Sequence, residues 1–109
     1  MPRYDNIQFR WMNSEGEGLL AGQVLPRVGE TGPEMVLDIK GDDQGGPYLL
    51  VGKQPPRKPF FVAENSANGR VNEVRASWAE IDDGYAGRWI EDGTVNLFTF
   101  RLPDKPRKR

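Results

Sequence analysis

The chain has 109 residues, a formal net charge of −1, and neither cysteine nor histidine. Those two absences exclude disulfides, thiolate nucleophiles, Cys- or His-ligated metal, and hydrolases of the Ser–His–Asp or Cys–His type. Thirteen glycines and nine prolines suit short strands and many turns, and speak against a helical bundle.

A chain of this length is expected to form one domain and to bury about two thirds of its unfolded surface without metal or disulfide staples. No apolar run approaches a membrane span, and the start, MPRYDNIQFRW, lacks the apolar core of a signal peptide, so the expectation is a cytoplasmic protein with no membrane partner. The charge is uneven. The last seven residues, PDKPRKR, hold four basic residues and one acid, hence +3, which leaves −4 of the total −1 on the first 102 residues. Residues 1–102 read as a single β domain, and 103–109 as a basic, disordered tail.

The first strand is expected at Ile7 to Met12, with Ile7, Phe9 and Trp11 on one side and Gln8, Arg10 and Met12 on the other. NSEGEG, Asn13 to Gly18, is a polar loop. Leu19 to Leu25 is the next strand, and Gly22 within it marks a bulge or a close approach. Pro26 to Pro33 reads as a loop. Met35, Leu37 and Ile39 alternate with Val36, Asp38 and Lys40 in a half-buried strand. Gly41 to Gly46 turns the chain into a short strand at Tyr48 to Val51. Three prolines in Gly52 to Pro59 exclude a regular helix or a central strand there. Phe60 to Ala63 is another short strand, followed by the turn-rich Glu64 to Gly69.

Val74 to Leu102 reads as an antiparallel meander. Ile81 and Tyr85 are separated by Asp-Asp-Gly, and Ile90 and Thr94 by Glu-Asp-Gly. Each gap fits a three-residue hairpin loop with glycine in the left-handed position. That register puts Ala79, Ile81, Tyr85, Trp89, Val95 and Leu97 on one face. It puts Val74, Ala76, Trp78, Ala86, Arg88, Ile90, Phe98 and Phe100 on the other, with Glu80 and Asn96. Both faces are then apolar, and something must cover each. A rival pattern runs through the start of this stretch. Val71, Val74, Trp78 and Ile81 form an amphipathic helical stripe, so one short helix near 71–81 competes with the strand.

The acid pairs Asp42–Asp43, Asp82–Asp83 and Glu91–Asp92 lie beside glycine in expected turns, where Asp is favoured for backbone reasons. No segment matches an EF-hand or P-loop, so neither metal nor cofactor is expected. Lys53, Arg57 and Lys58 lie in a proline-stiffened loop that runs into Phe60 and Phe61, a combination found on single-stranded nucleic-acid binders. The simpler reading is a solvated loop with both phenylalanines in the core. Trp78 and Arg88 are cross-strand neighbours in the expected register, and with Phe98 and Phe100 they could form an exposed docking patch. The tail residues Lys105, Arg107, Lys108 and Arg109 could add a basic arm.

The sequence thus predicts a mainly β domain of seven or eight short antiparallel strands, closed as a small barrel or packed as a sandwich. The leading functional expectation is a non-enzymatic binding module. It acts through protein contact, with itself or with a partner, using Trp78, Arg88, Phe98 and Phe100. The alternative is a single-stranded nucleic-acid binder using Lys53, Arg57, Lys58, Arg88 and the tail. An enzyme working only with carboxylates, Ser, Thr, Tyr or Lys ranks last.

Overall fold

The computed structural model describes residues 3–41, 47–66 and 74–103, with the main chain alone for 64–66. Residues 42–46 of the glycine-rich turn, with Asp42–Asp43, the second half of the 64–69 loop, the start of the helix considered at 71–81, and the tail from Asp104 lie outside the described residues. Eight strands follow in order: β1 (Tyr4–Asn13), β2 (Gly16–Gly29), β3 (Gly32–Ile39), β4 (Tyr48–Lys53), β5 (Phe60–Ser66), β6 (Val74–Ile81), β7 (Gly84–Glu91) and β8 (Thr94–Phe100). Each pairs antiparallel with its neighbours in sequence, and β8 returns to β1, so the sheet closes into a barrel. No helix occurs among the described residues, and 74–81 is strand.

The expected alternation in β1 holds. Ile7 and Phe9 point into the barrel and Gln8, Arg10 and Met12 point out. Near its start the pairing shifts between Tyr4 and Ile7, where Asn6 takes a φ of 58°. Asparagine tolerates that left-handed conformation better than most residues, which suits a bulge. The polar loop expected over 13–18 is shorter in the structure. Asn13 pairs with Gly16, and its Oδ1 accepts hydrogen bonds from the backbone N–H groups of Glu15 (2.8 Å) and Gly16 (3.0 Å). This side-chain turn lets both strands run nearly to the tip.

The loop expected at Pro26 to Pro33 is also strand for most of its length. Pro26 pairs with Met35 and Val28 with Pro33, leaving a tight turn at Glu30–Thr31. The prolines are tolerated because β1 pairs with β2 only as far as Val24. Beyond that point β2 has β3 on one side alone, and an edge can accept a missing donor. Gly22 is a close approach, as expected: a Cβ there would collide with the Asp38 carbonyl and press on Phe9.

The meander is present, but its register differs by one residue. Ile81 pairs with Gly84, so the first loop is Asp82–Asp83; Glu91 pairs with Thr94, so the second is Asp92–Gly93. Asp92 (φ 50°) and Gly93 (φ 81°) are both left-handed, the signature of a two-residue type I′ turn. The first hairpin uses its glycine differently. Gly84 opens β7, and a Cβ on it would collide with the Phe100 carbonyl. Because side chains alternate with period two, this slip changes which residues share a face. Trp78 now faces Gly87 and Ala76 faces Trp89. Both tryptophans enter the barrel with Val74, Phe98 and Phe100.

The interior is filled rather than hollow. Phe9, Leu37, Ile39, Leu50, Trp78 and Phe98 are among the most deeply buried side chains. Phe98 sits at ring distances of 5.2 Å from Trp89 and 6.2 Å from Trp78 and Phe100. Trp78 donates its indole N–H to the Met35 sulfur at 3.4 Å. Among the described residues, no helix is long and apolar enough to cross a membrane.

Candidate functional site

The register decides where the expected site residues lie. Trp78 is 1 % exposed and Phe98 and Phe100 are equally buried, so none can belong to an exposed patch. Trp78 stacks on Phe61 at 5.9 Å inside the barrel. Arg88 pairs with Ser77 rather than sharing a face with Trp78, and it projects outward. The Trp78–Arg88–Phe98–Phe100 surface expected from sequence is therefore absent.

The basic loop is ordered by its own hydrogen bonds. Gln54 donates its side-chain amide to the Lys58 carbonyl at 2.8 Å, and its backbone N–H to Pro33 O at 3.1 Å. Arg57 takes a left-handed φ of 64°. Lys53, Arg57 and Lys58 are all exposed. Lys53 pairs with Val62, Val62 with Ser77, and Ser77 with Arg88, which places Lys53 and Arg88 in one row across the outer wall.

That wall carries an open trough of ≈ 750 Å³ over β5–β8. Small side chains make its floor: Ser77, Ala79 and Ala86. Phe60, Val62, Ile90 and Leu97 flank it, and Arg75 and Arg88 supply its charge. Among the described residues, no carboxylate lines it. The apolar surface continues past β8 onto β1 and β2, where Leu97 (52 % exposed), Met12 (43 %) and Leu19 (57 %) lie open with Val95. A second cavity, ≈ 590 Å³, lies at the β1–β8 seam between Asn6–Arg10 and Thr99–Pro103, and it is more polar in character.

Sequence reading did not single out Val62, Leu97 or Leu19 as surface. The available signal was the apolarity of both meander faces. With the register shifted, the large aromatic rings go in, while Ala86, Ile90, Val95 and Leu97 line the outside.

The acid pairs serve turns and local bonds. Asp83 bridges Arg101 at 3.0 Å, and Glu91 accepts the Tyr48 hydroxyl at 2.8 Å. Buried Glu34 accepts Arg27 Nε at 2.9 Å across the β2–β3 hairpin. Asn96, also buried, accepts from Asn13 Nδ2 at 2.9 Å. Burial raises the Tyr85 phenol above its ordinary 10.0, and the Glu80 charge across the β6–β7 pair adds to the effect. Among the described residues, no cluster of three His, Cys, Asp or Glu could hold a metal ion. No family model, curated protein or solved structure matches the chain.

Proposed function

We propose that the protein is a binding module that works through protein contact, and that its contact surface is the outer wall of β5–β8 continued onto β1 and β2. One observation carries this reading: an open trough with an alanine and serine floor, apolar flanks and two arginines, joined to the exposed Leu97, Met12 and Leu19. An apolar surface of this extent on a small domain marks an interaction site more often than bare surface. From β5 through β8 to β1 and β2 each strand pairs with the next, so a partner seated on this wall gains no sheet edge within it. Affinity must come from side chains filling the trough, with arginine as the natural hot-spot residue.

Single-stranded nucleic acid is the weaker reading. Lys53 and Arg88 do share a row, but the rings that could have stacked bases are in the core, and of the two aromatic residues at the trough, Phe60 and Trp78, the second is 1 % exposed. A stacking platform needs successive exposed rings.

The test is photo-crosslinking in the cells that make the protein. A photoreactive residue is placed at Leu97 or Ala79, and at Leu49 on the opposite side of the barrel as a control. Covalent protein adducts from 97 and 79 but not from 49 support the reading. Absence of protein adducts from all three, or equal labelling at 49, overturns it.

A further inference from the structure

We infer that the protein which docks on this wall is a second copy of the same chain, related by a two-fold axis that runs along the strands between β8 and β1. The inference rests on the protein-contact reading above and adds the identity of the occupant. Two neighbouring rows of outward side chains carry it.

The first row reads Arg88, Leu97, Met12, Glu17 across β7, β8, β1 and β2. All four side chains are exposed. Three strand spacings separate its ends, about 14 Å. The two central residues are apolar, and the two ends carry opposite charges. Turned over about an axis between Leu97 and Met12, the row meets itself reversed. Arg88 then faces Glu17 of the second copy, Leu97 faces Met12, and both contacts occur twice, as an isologous interface requires.

The second row lies one pleat away and reads Ala86, Thr99, Arg10, Leu19. The same axis sets Leu19 of each copy over Ala86 of the other. Leu19 is the most exposed large apolar side chain on this wall, and Ala86 is among the trough's lining residues. A projecting side chain thus meets a recess. The polar pair Thr99 and Arg10 lies nearest the axis in this row. Charge, shape and apolar character therefore match under one operation, with no residue adjusted separately. Among the described residues the trough has arginines and no carboxylate, and the tip of the β1–β2 hairpin offers the complement: Glu15 and Glu17 beside Met12 and Leu19.

Light scattering over a concentration series tests the arrangement with charge-swapped variants of the full chain. The wild type should reach twice the 12.3 kDa chain mass. Arg88→Glu and Glu17→Arg should each weaken the dimer by about tenfold or more, and the double swap should restore it to within about threefold of wild type. Both substitutions are at exposed positions, and circular dichroism checks that the barrel is intact. A wild type that stays monomeric at millimolar concentration overturns the inference. So does a dimer that is indifferent to the swaps, or a double swap that recovers nothing. The Leu97 photo-crosslink separates the two levels. An adduct of twice the chain mass supports self-pairing. Adducts with other proteins alone overturn self-pairing while the contact reading stands, and no adduct removes both.

Discussion

Gly52 on β4 lies directly against the indole of Trp78 on β6, so that a Cβ at position 52 would run into the ring's Cζ2 and Cη2. On its other side Trp78 pairs with Gly87, where a Cβ would collide with the Ser77 carbonyl and the Trp78 backbone. Two glycines thus make room for the largest side chain of the core. Gly52→Ala should cost about 1–3 kcal/mol through overpacking. In Gly52→Ala/Trp78→Phe the two losses should sum to less than their separate values, because the smaller ring relieves the clash. Urea unfolding of the single and double variants measures both.

The two short turns of the meander should respond differently to substitution. Gly93→Ala should destabilise by about 1–2 kcal/mol, since alanine is disfavoured in the left-handed region, and Gly93→Asn should recover part of that loss. Gly84 has no such backbone demand; its constraint is the nearby Phe100 carbonyl. Gly84→Asn should therefore be no better than Gly84→Ala. Thermal unfolding of the four variants separates the causes.

These turns also mark how far the sequence could be read. The strands themselves were visible: alternation located the centres of β1, β2 and β3, and the apolar pairs flanking Asp-Asp-Gly and Glu-Asp-Gly located β6 to β8. The register was not. Acid–acid–glycine is compatible with a three-residue loop, yet Asp92 accepts a left-handed φ and shortens the second loop to two residues. One residue of slip then moved Trp89 onto the same face as Trp78, which emptied the expected patch and left Arg88, Ile90 and Leu97 outside. Closure as a barrel rather than a sandwich had no local signature, because it depends on β1 meeting β8 from opposite ends of the chain. The strand ends at Pro26 and Pro33 were hidden for a related reason. Proline excludes a central strand, and nothing local reveals that β2 outruns its partner β1.

The β1–β8 seam is one of two short seams in the closed wall; the other is β4–β5, where Lys53 with Val62 is the one register pair among the described residues. The β1–β8 seam is paired through Arg10, Trp11 and Met12, and Asn13 crosses it to buried Asn96 while its Oδ1 holds the β1–β2 turn. Asn96→Ala should cost about 1–2 kcal/mol by removing that bond. It should also speed amide exchange at residues 10–12 and 97–99 before the rest of the barrel opens. Hydrogen exchange followed by residue gives the order.

Tyr85 predicts the alkaline behaviour. Its phenol ionises above 10.0 in the folded chain because of burial first and the Glu80 carboxylate second. The neutral form is favoured by folding, so its contribution is fully present below the ordinary tyrosine range and is lost as pH rises through the raised value. Glu80→Gln should lower the Tyr85 ionisation toward 10.0 without abolishing the shift. The ultraviolet difference spectrum of phenolate formation, with Tyr85→Phe as the reference, reads this directly. Tyr85→Phe also leaves a ring to stack on Phe100.

Because the chain has no cysteine, single thiols can report which wall is covered. The most direct measurement compares alkylation of Leu97→Cys on β8 with that of Leu49→Cys on β4, in intact cells and after purification and dilution. Both positions are exposed in the isolated barrel. If the β5–β8 wall is a contact surface, the thiol at 97 reacts about tenfold or more slowly in cells than in dilute solution, corresponding to about 1.4 kcal/mol of occupancy, while the thiol at 49 is unchanged. Equal reactivity of the two thiols in both settings would contradict the account.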